Sequence, residues 1–400
     1  MIEQTNTPKL RFPEFKNEWS YDLLSDVVTN KSKKFDPKKE EATKDIELDS
    51  IEQNTGRLLD TYISNDFTSQ KNKFKKGNVL YSKLRPYLNK YYYATIDGVC
   101  SSEIWVLNTL NKDVLVNKFL YYFIQTNRFS SVTNKSAGSK MPRADWELVK
   151  NIRLYKGSIK EQEKIGYFFS KLDQHIELEE KKLKLLEQQK KGYIQKIFSQ
   201  ELRFKDENGN NYPNWEMKKL GNIANIVGGG TPSTKKSEYW DGDINWFSPV
   251  EIGDKEFVST SQRRITEKGL EKSSAKMLPI GTVLFTSRAG IGKTAILSKE
   301  ATTNQGFQSI VPKENDLDSY FLYSMTSILK RNAEKVGAGS TFSEVSRKQM
   351  EQIKLLIPIL KEQKQIARLF QIINRKINKQ IHKIELLKQR KKGLLQKMFV

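Results

Sequence analysis

The sequence predicts an α+β protein: two mixed α/β domains in pseudo-twofold repeat, separated by two long coiled-coil helices. Three observations lead there. The chain repeats itself, each repeat ends in a long heptad seam, and the stretches between the seams alternate short strand-like and helix-like runs.

The repeat sets the domain plan. "IKEQEKIGYFFSKLDQHIELEEKKLKLLEQQKKGYIQKIFS" from Ile159 aligns without a gap on "LKEQKQIARLFQIINRKINKQIHKIELLKQRKKGLLQKMFV" from Leu360, an offset of 201 residues. Upstream, "GSKMPRADWELVKNIRL" from Gly138 falls on "GSTFSEVSRKQMEQIKL" from Gly339. "LRFPEFKNEW" at Leu10 echoes "LRFKDENGNNYPNW" at Leu202, and "KKGNVLYSKLR" at Lys75 echoes "PIGTVLFTSRA" at Pro279. The plan is therefore a globular domain over 1–158, a helix over 159–200, a second globular domain over 201–359 and a second helix over 360–400.

In the first helix Ile165, Phe169, Leu172, Ile176, Leu183, Leu186, Tyr193 and Ile197 follow the alternating three- and four-residue steps of a heptad seam. Glu179 and Lys190 fill its two polar slots. The second repeats this with Ile366, Phe370, Ile373, Ile377, Ile384, Leu387, Leu394 and Met398, with Gln380 and Lys391 in the polar slots. Two such seams in one chain have each other as partners. Ser158 with Glu161 has the spacing of a capping box at the start of the first helix, and Pro358 marks the approach to the second.

The globular halves carry short β-branched and aromatic runs, "NVLYSKL", "NKYYYATI", "EIWVL" and "GTVLFTS", between Gly, Asn and Asp turns. "NKFLYYFIQTNRFSSV" and "SYFLYSMTSILKRNAEKV" read as helices at matching places. "TNKSAGSKMPRADW", "KVGAGSTFSEVS" and "NKSKKFDPKKEEATKD" read as exposed polar loops.

Composition narrows the function. The single cysteine, Cys100, excludes an internal disulfide and a cysteine-based zinc cluster, and His175 and His382 leave little for His-dependent catalysis. No apolar run approaches the ~20 residues of a membrane span. "MIEQTNTPKLRF" lacks a signal-peptide pattern, so the expected location is cytoplasmic. A net charge of +22 points to a polyanionic partner, nucleic acid before a membrane surface. The charge concentrates in residues 360–400, with 12 basic and 2 acidic side chains. That basic face is open to three readings: a solvated face, contact with DNA phosphates, or contact with an acidic partner protein.

"SRAGIGKTAIL", Ser287 to Leu297, resembles a phosphate loop but fails as one. G-x-x-x-x-G-K-(S/T) needs its first glycine to wrap the phosphates, and Ser287 stands there. The corresponding stretch of the first half, "KLRPYLNKYYYATI", has no such motif. The better reading is a strand ending near Thr286, a Gly-containing turn and a strand from Thr294 to Leu297, presenting Arg288 and Lys293 to DNA phosphates. "NNYPNW" at Asn210 lacks the first proline of an amino-methyltransferase box, and the Glu216–Lys218 fragment lacks the rest of a nuclease core. No enzyme is read here.

With "LRFPEF…EW", "GGGTPSTKKSEYWDGDINWFSP", "TSRAGIGKTAI", "SKLRPYLNK" and both "KKG" helices in this order, the chain resembles the specificity (S) subunit of type I restriction–modification systems over essentially its whole length. The resemblance implies a DNA-binding, non-catalytic subunit of a restriction system, whose globular halves are target recognition domains. Each would read one part of a split, asymmetric site in double-stranded DNA. The helices would be an antiparallel spacer around which two methyltransferase (M) subunits dock, with endonuclease–translocase (R) subunits completing the complex. S-adenosylmethionine, ATP and Mg would belong to those partners, with no cofactor or metal in this chain. A dyad relating two similar domains also suits the local dyad of duplex DNA. By analogy the DNA-contacting candidates are Lys83, Arg85, Tyr87, Lys90, Ser139, Lys140 and Arg143 in the first domain. In the second they are Thr231, Ser233, Arg288, Lys293, Ser340 and Thr341. The "GGGTPSTKK" loop has a competing explanation as a simple turn. The rival class is a coiled-coil DNA-binding regulator working without enzymatic partners.

Overall fold

The computed structural model describes residues 6–64, 70–136, 140–288, 290–337 and 344–400. It divides into two compact units, Met1–Lys181 with His382–Val400, and Lys182–Ile381. Each long helix, Ile159–Phe198 and Leu360–Met398, gives one end to each unit.

In the first unit a four-stranded sheet runs in the order Val28–Thr29, Ile104–Thr109, Val79–Ser82, Tyr91–Tyr93. A five-stranded sheet runs Lys34–Phe35, Lys71–Phe74, Gly98–Ser101, Lys44–Ile46, Tyr62–Ile63. The pairings are antiparallel except between Lys44–Ile46 and Gly98–Ser101. The stretch around Phe35, expected to be an exposed loop, instead supplies an edge strand, because its one large apolar side chain is buried. Helices Asn117–Phe123 and Asn127–Thr133 back the four-stranded sheet through Phe119, Tyr122, Phe123 and Phe129.

The second unit follows the same plan. Its five-stranded sheet runs Ala224–Gly228, Gln308–Pro312, Val283–Phe285, Thr294–Leu297, Phe257–Val258. A three-stranded sheet runs Arg263–Ile265, Trp240–Phe247, Thr302–Thr303. In each unit a separate antiparallel pair closes the domain just before a long helix: Ser20–Leu23 with Arg153–Lys156, and Glu216–Lys219 with Lys354–Ile357.

The seams lie where the heptads put them. In the first unit Ile165 and Phe169 are buried and Leu172 half-buried, packing with Leu394, Leu395, Met398 and Phe399 from the end of the second helix, and Ile176 is buried as well. Ile384 is buried and Leu387 half-buried in the same unit. In the second unit Ile366, Phe370, Ile373 and Ile377 are buried against Leu183, Leu186, Tyr193 and Ile197. Burial is worth about 1.5–3 kcal/mol for each large apolar side chain. Within the first unit Lys391 pairs with Asp173 at 2.6 Å, Lys383 with Glu179 at 2.6 Å and Lys388 with Glu180 at 2.7 Å. From Asp173 to Glu179 on the first helix the partner falls from Lys391 to Lys383 on the second, so the pair is antiparallel there. Part of the basic face of 360–400 is thus matched by acids of the first helix.

The repeated "KEQ" and "LRF" blocks form one fastening, made twice. In the first unit the Glu161 carboxylate, wholly buried, accepts Arg11 Nε at 2.6 Å, Arg11 Nη2 at 2.8 Å and Trp19 Nε1 at 3.0 Å. In the second, Glu362 accepts Arg203 Nε at 3.1 Å, Arg203 Nη2 at 2.7 Å and Trp215 Nε1 at 3.2 Å. The charge-assisted bonds raise the Arg11 pKa above its ordinary value. The neighbouring glutamines work alike. Gln162 accepts from Val116 N–H and donates to the Val114 and Gly157 carbonyls. Gln363 accepts from Asp318 N–H and donates to the Asp316 and Pro358 carbonyls. The "LRF" backbone closes the other helix end, with Leu10 N–H on the Lys397 carbonyl and Leu202 N–H on the Lys196 carbonyl.

This corrects the expected capping box. Ser158 Oγ does accept the Glu161 N–H at 3.4 Å, but the Glu161 side chain turns to Arg11 and Trp19 rather than back to the cap.

Replacing Glu362 by Gln leaves Arg203 without a buried counter-charge. The expected cost is about 3 kcal/mol, confined to the second unit. Hydrogen exchange in the full chain checks it: protection should fall in Lys354–Ile357 and hold in Arg153–Lys156.

Candidate nucleic-acid interface

In the first unit the strands Val79–Ser82 and Tyr91–Tyr93 are joined by "KLRPYLNK", which is clamped to the segment after Lys140. Ala144 N–H donates to the Lys83 carbonyl at 2.7 Å, and Arg85 N–H to the Pro142 carbonyl at 2.8 Å. Lys83, Arg85 and Arg143 are thereby brought together, with Lys140 exposed three residues before Arg143. The turn Pro86–Leu88 is flanked by Arg85 (φ 51°) and Asn89 (φ 47°), both left-handed. Non-glycine residues hold that conformation only where the surroundings enforce it. Here buried Pro86 and the pair Asn54 N–H to Asn89 carbonyl and Asn89 Nδ2 to Asn54 Oδ1 do so. The result is a stiff loop with Arg85 and Tyr87 exposed, neither having a polar side-chain partner among the described residues.

Two candidates are engaged internally. Lys90 Nζ donates to the Leu48 carbonyl at 2.5 Å. Arg143 forks onto Glu103 at 3.0 and 3.4 Å, which raises its pKa above the ordinary value. Ser139, Ser340 and Thr341 lie outside the described residues.

In the second unit the strands Val283–Phe285 and Thr294–Leu297 form a hairpin, with Phe285 opposite Thr294 and Val283 opposite Ile296. Thr286 organises it: its N–H donates to the Lys293 carbonyl, its carbonyl accepts Gly292 N–H, and its hydroxyl accepts Lys293 N–H and donates to the Gly290 carbonyl. Gly292 has φ +90°, and a Cβ there would lie 2.5 Å from Lys330 Cγ. The glycine that imitates a phosphate loop is therefore required by the turn and by the Lys330 stem. Lys293 is exposed, its stem over Gly253.

Ser287 is the counterpart of Lys83: its carbonyl accepts Val345 N–H at 3.0 Å, as Lys83 accepts Ala144 N–H, and Val345 stands 201 residues after Ala144. Equivalent clamps thus hold unlike loops. Ser287 N–H also donates to the Gly306 carbonyl, and the Arg288 guanidinium lies beside Gly306.

The "GGGTPSTKK" loop reaches the same neighbourhood. Gly230 N–H donates to the Thr303 carbonyl, and a side chain at Gly229 would run into the Asn304 carbonyl. Those glycines answer to close packing of backbone on backbone. Beyond them the Thr231 hydroxyl bonds to Gln305, and Ser233, Thr234, Lys235 and Lys236 are exposed. Thr231, Arg288 and Gln305 are therefore linked through one strip of backbone. Among the described residues no cluster of His, Cys, Asp or Glu is able to hold a metal ion, and no helix is long and apolar enough to cross a membrane.

The model of a family described as type I restriction modification DNA specificity domain matches residues 16–188 and 212–388. The chain belongs to that family. It is 38% identical over 174 residues to the type I restriction enzyme MjaIX specificity subunit of Methanocaldococcus jannaschii, covering 42% of this chain and 40% of that protein. The match thus spans less than half the length of that relative. Over 89% of this chain and 92% of the relative, it is 22% identical to the HindI specificity subunit of Haemophilus influenzae. A chain solved in work on complex assembly and conformational transition of the type I R-M system shares the fold, with a TM-score of 0.63 at 18% identity over 97% of this chain and 98% of that one.

Sequence reasoning overlooked Gln305, which bonds to Thr231 from far along the chain, and Arg263, which lies over Trp240. It also gave Lys90 and Lys293 equal standing. Lys293→Ala should lower the slope of log affinity against log salt for duplex DNA by about one, as for loss of one phosphate contact. Lys90→Ala should leave the slope unchanged, measured by fluorescence anisotropy between low and physiological salt.

Proposed function

We propose that this chain is the DNA-recognition subunit of a type I restriction–modification complex, each unit reading one half of a bipartite, asymmetric site. The observation that carries this is the pair of equivalent clamps, Ala144 on Lys83 and Val345 on Ser287, holding loops of different sequence on matching scaffolds. A duplicated scaffold addresses DNA twice in the same manner, and unlike loops make the two half-sites differ. Phosphates would be met by exposed Lys and Arg, which position the protein, and bases by side chains with directed donors.

The long helices, 40 and 39 residues, are each about 60 Å long at the α-helical rise. That accommodates half-sites about one turn of DNA apart. Around them two methyltransferase subunits would dock, followed by endonuclease–translocase subunits. S-adenosylmethionine, ATP and Mg would be held by those partners, and this chain would be non-catalytic. The assembly would act as a DNA adenine methyltransferase and an ATP-dependent endonuclease in the cytoplasm. A coiled-coil regulator would instead form a homodimer indifferent to a methyltransferase subunit, which sizing of the two proteins together distinguishes.

Co-expression with the cognate methyltransferase subunit, followed by single-molecule sequencing of the methylated genome, tests the proposal. The expected motif has two short specified parts, a fixed unspecified spacer and modification on both strands. A continuous palindrome contradicts it.

A further inference from the structure

Beside the "GGGTPSTKK" loop the second unit carries a guanidinium set on an indole platform. Arg263 lies in the strand Arg263–Ile265, opposite Trp246. Its guanidinium carbon is 3.6 Å from the Trp240 ring centroid and 5.8 Å from that of Trp246. The two indoles meet edge to face at 5.1 Å and 87°, and both are buried together with Ile265. Their N–H groups bolt the platform to the loop: Trp240 Nε1 donates to the Ser233 carbonyl at 3.2 Å and Trp246 Nε1 to the Gly230 carbonyl at 2.8 Å. The Arg263 carbonyl is held in turn by the Ser261 hydroxyl at 2.5 Å.

The Arg263 guanidinium thus lies over the indole while the residue stays exposed, with no hydrogen-bond acceptor or carboxylate paired to it among the described residues. Two acids of the neighbouring segments are engaged elsewhere. Glu238 pairs with Lys268 at 2.7 Å, and Glu251 accepts from the Ser248 hydroxyl and from Gln262 N–H. A planar cation stacked on an aromatic face has already lost much of its rotamer freedom, so little more is lost when its fork binds. Guanine is the base that presents two acceptors, O6 and N7, at the spacing of that fork.

Resting on the DNA-recognition reading above, we infer that Arg263 is a base-reading residue of the second unit. Held on Trp240 and Trp246, it donates two parallel hydrogen bonds to one guanine in the major groove. Ser233, Thr234 and Lys235 on the bolted loop address the adjoining phosphates. Arg263 is then a specificity determinant, whereas the loop contributes affinity.

The test uses the full chain with its methyltransferase subunits, as wild type, Arg263→Ala and Arg263→Lys. Affinity is measured for duplexes in which each base pair of the second half-site is replaced in turn, and methylated motifs are sequenced. Wild type should lose about ten- to a hundredfold in affinity at one G·C pair. Arg263→Ala should be nearly indifferent at that pair, Arg263→Lys should keep only part of the discrimination, and both should be unchanged in the first half-site. Lysine keeps the charge and the stem but lacks the planar, preorganised fork, so a phosphate contact would be kept in full while guanine discrimination would be only partly kept. If Arg263→Ala does not assemble, Arg263→Lys carries the test alone. Discrimination retained at every position, with affinity lost uniformly or not at all, overturns the inference. A wild-type motif that is not bipartite instead overturns the DNA-recognition proposal itself, and is read before any variant is made.

Discussion

A carboxylate with no exposure to water opens each long helix, and the rest of the architecture depends on how it is neutralised. Burying an unpaired carboxylate costs several kcal/mol, so Glu161 and Glu362 are tolerable only where an arginine fork and an indole N–H converge on them. Arg11 and Trp19, or Arg203 and Trp215, arrive from the segment that begins each repeat. The same segment caps the end of the other helix through the backbone of Leu10 or Leu202. Each unit is therefore fastened at a point where one helix starts and the other finishes. The fastening sets the registers of both helices together, which a heptad seam alone does less firmly.

That arrangement explains why the repeat is conspicuous in some places and faint in others. The "KEQ" and "LRF" blocks recur because they are parts of one joint made twice. The recognition loops differ because their clamps are made by backbone groups: Ala144 N–H on Lys83 and Val345 N–H on Ser287 ask nothing of the side chains. Loops held this way are free to diverge in what they present to DNA while the scaffold stays the same.

Much of the fold was legible beforehand. The heptads located the helices and their buried faces, since a period of 3.5 residues has few other causes. The hairpin around Thr286 was readable from its β-branched runs and glycines. The role of Glu161 was not, because its partners lie 150 and 142 residues away and local spacing suggested a cap instead. Phe35 showed the converse limit, one apolar residue in a charged stretch being enough to make an edge strand. At the candidate interface, charge and loop position picked out Arg85 and Lys293, which are exposed, but also Lys90 and Arg143, which are engaged with Leu48 and Glu103. Arg263 escaped notice because the platform beneath it is assembled by tertiary packing of Trp240 on Trp246.

The central claim is that the two units read DNA independently on equivalent scaffolds. It is tested most directly by exchanging residues 201–359 for those of a relative and sequencing the methylated motif of the resulting complex. The account predicts that one half of the motif changes while the other half and the spacer persist. A motif altered in both halves, or in neither, would contradict it.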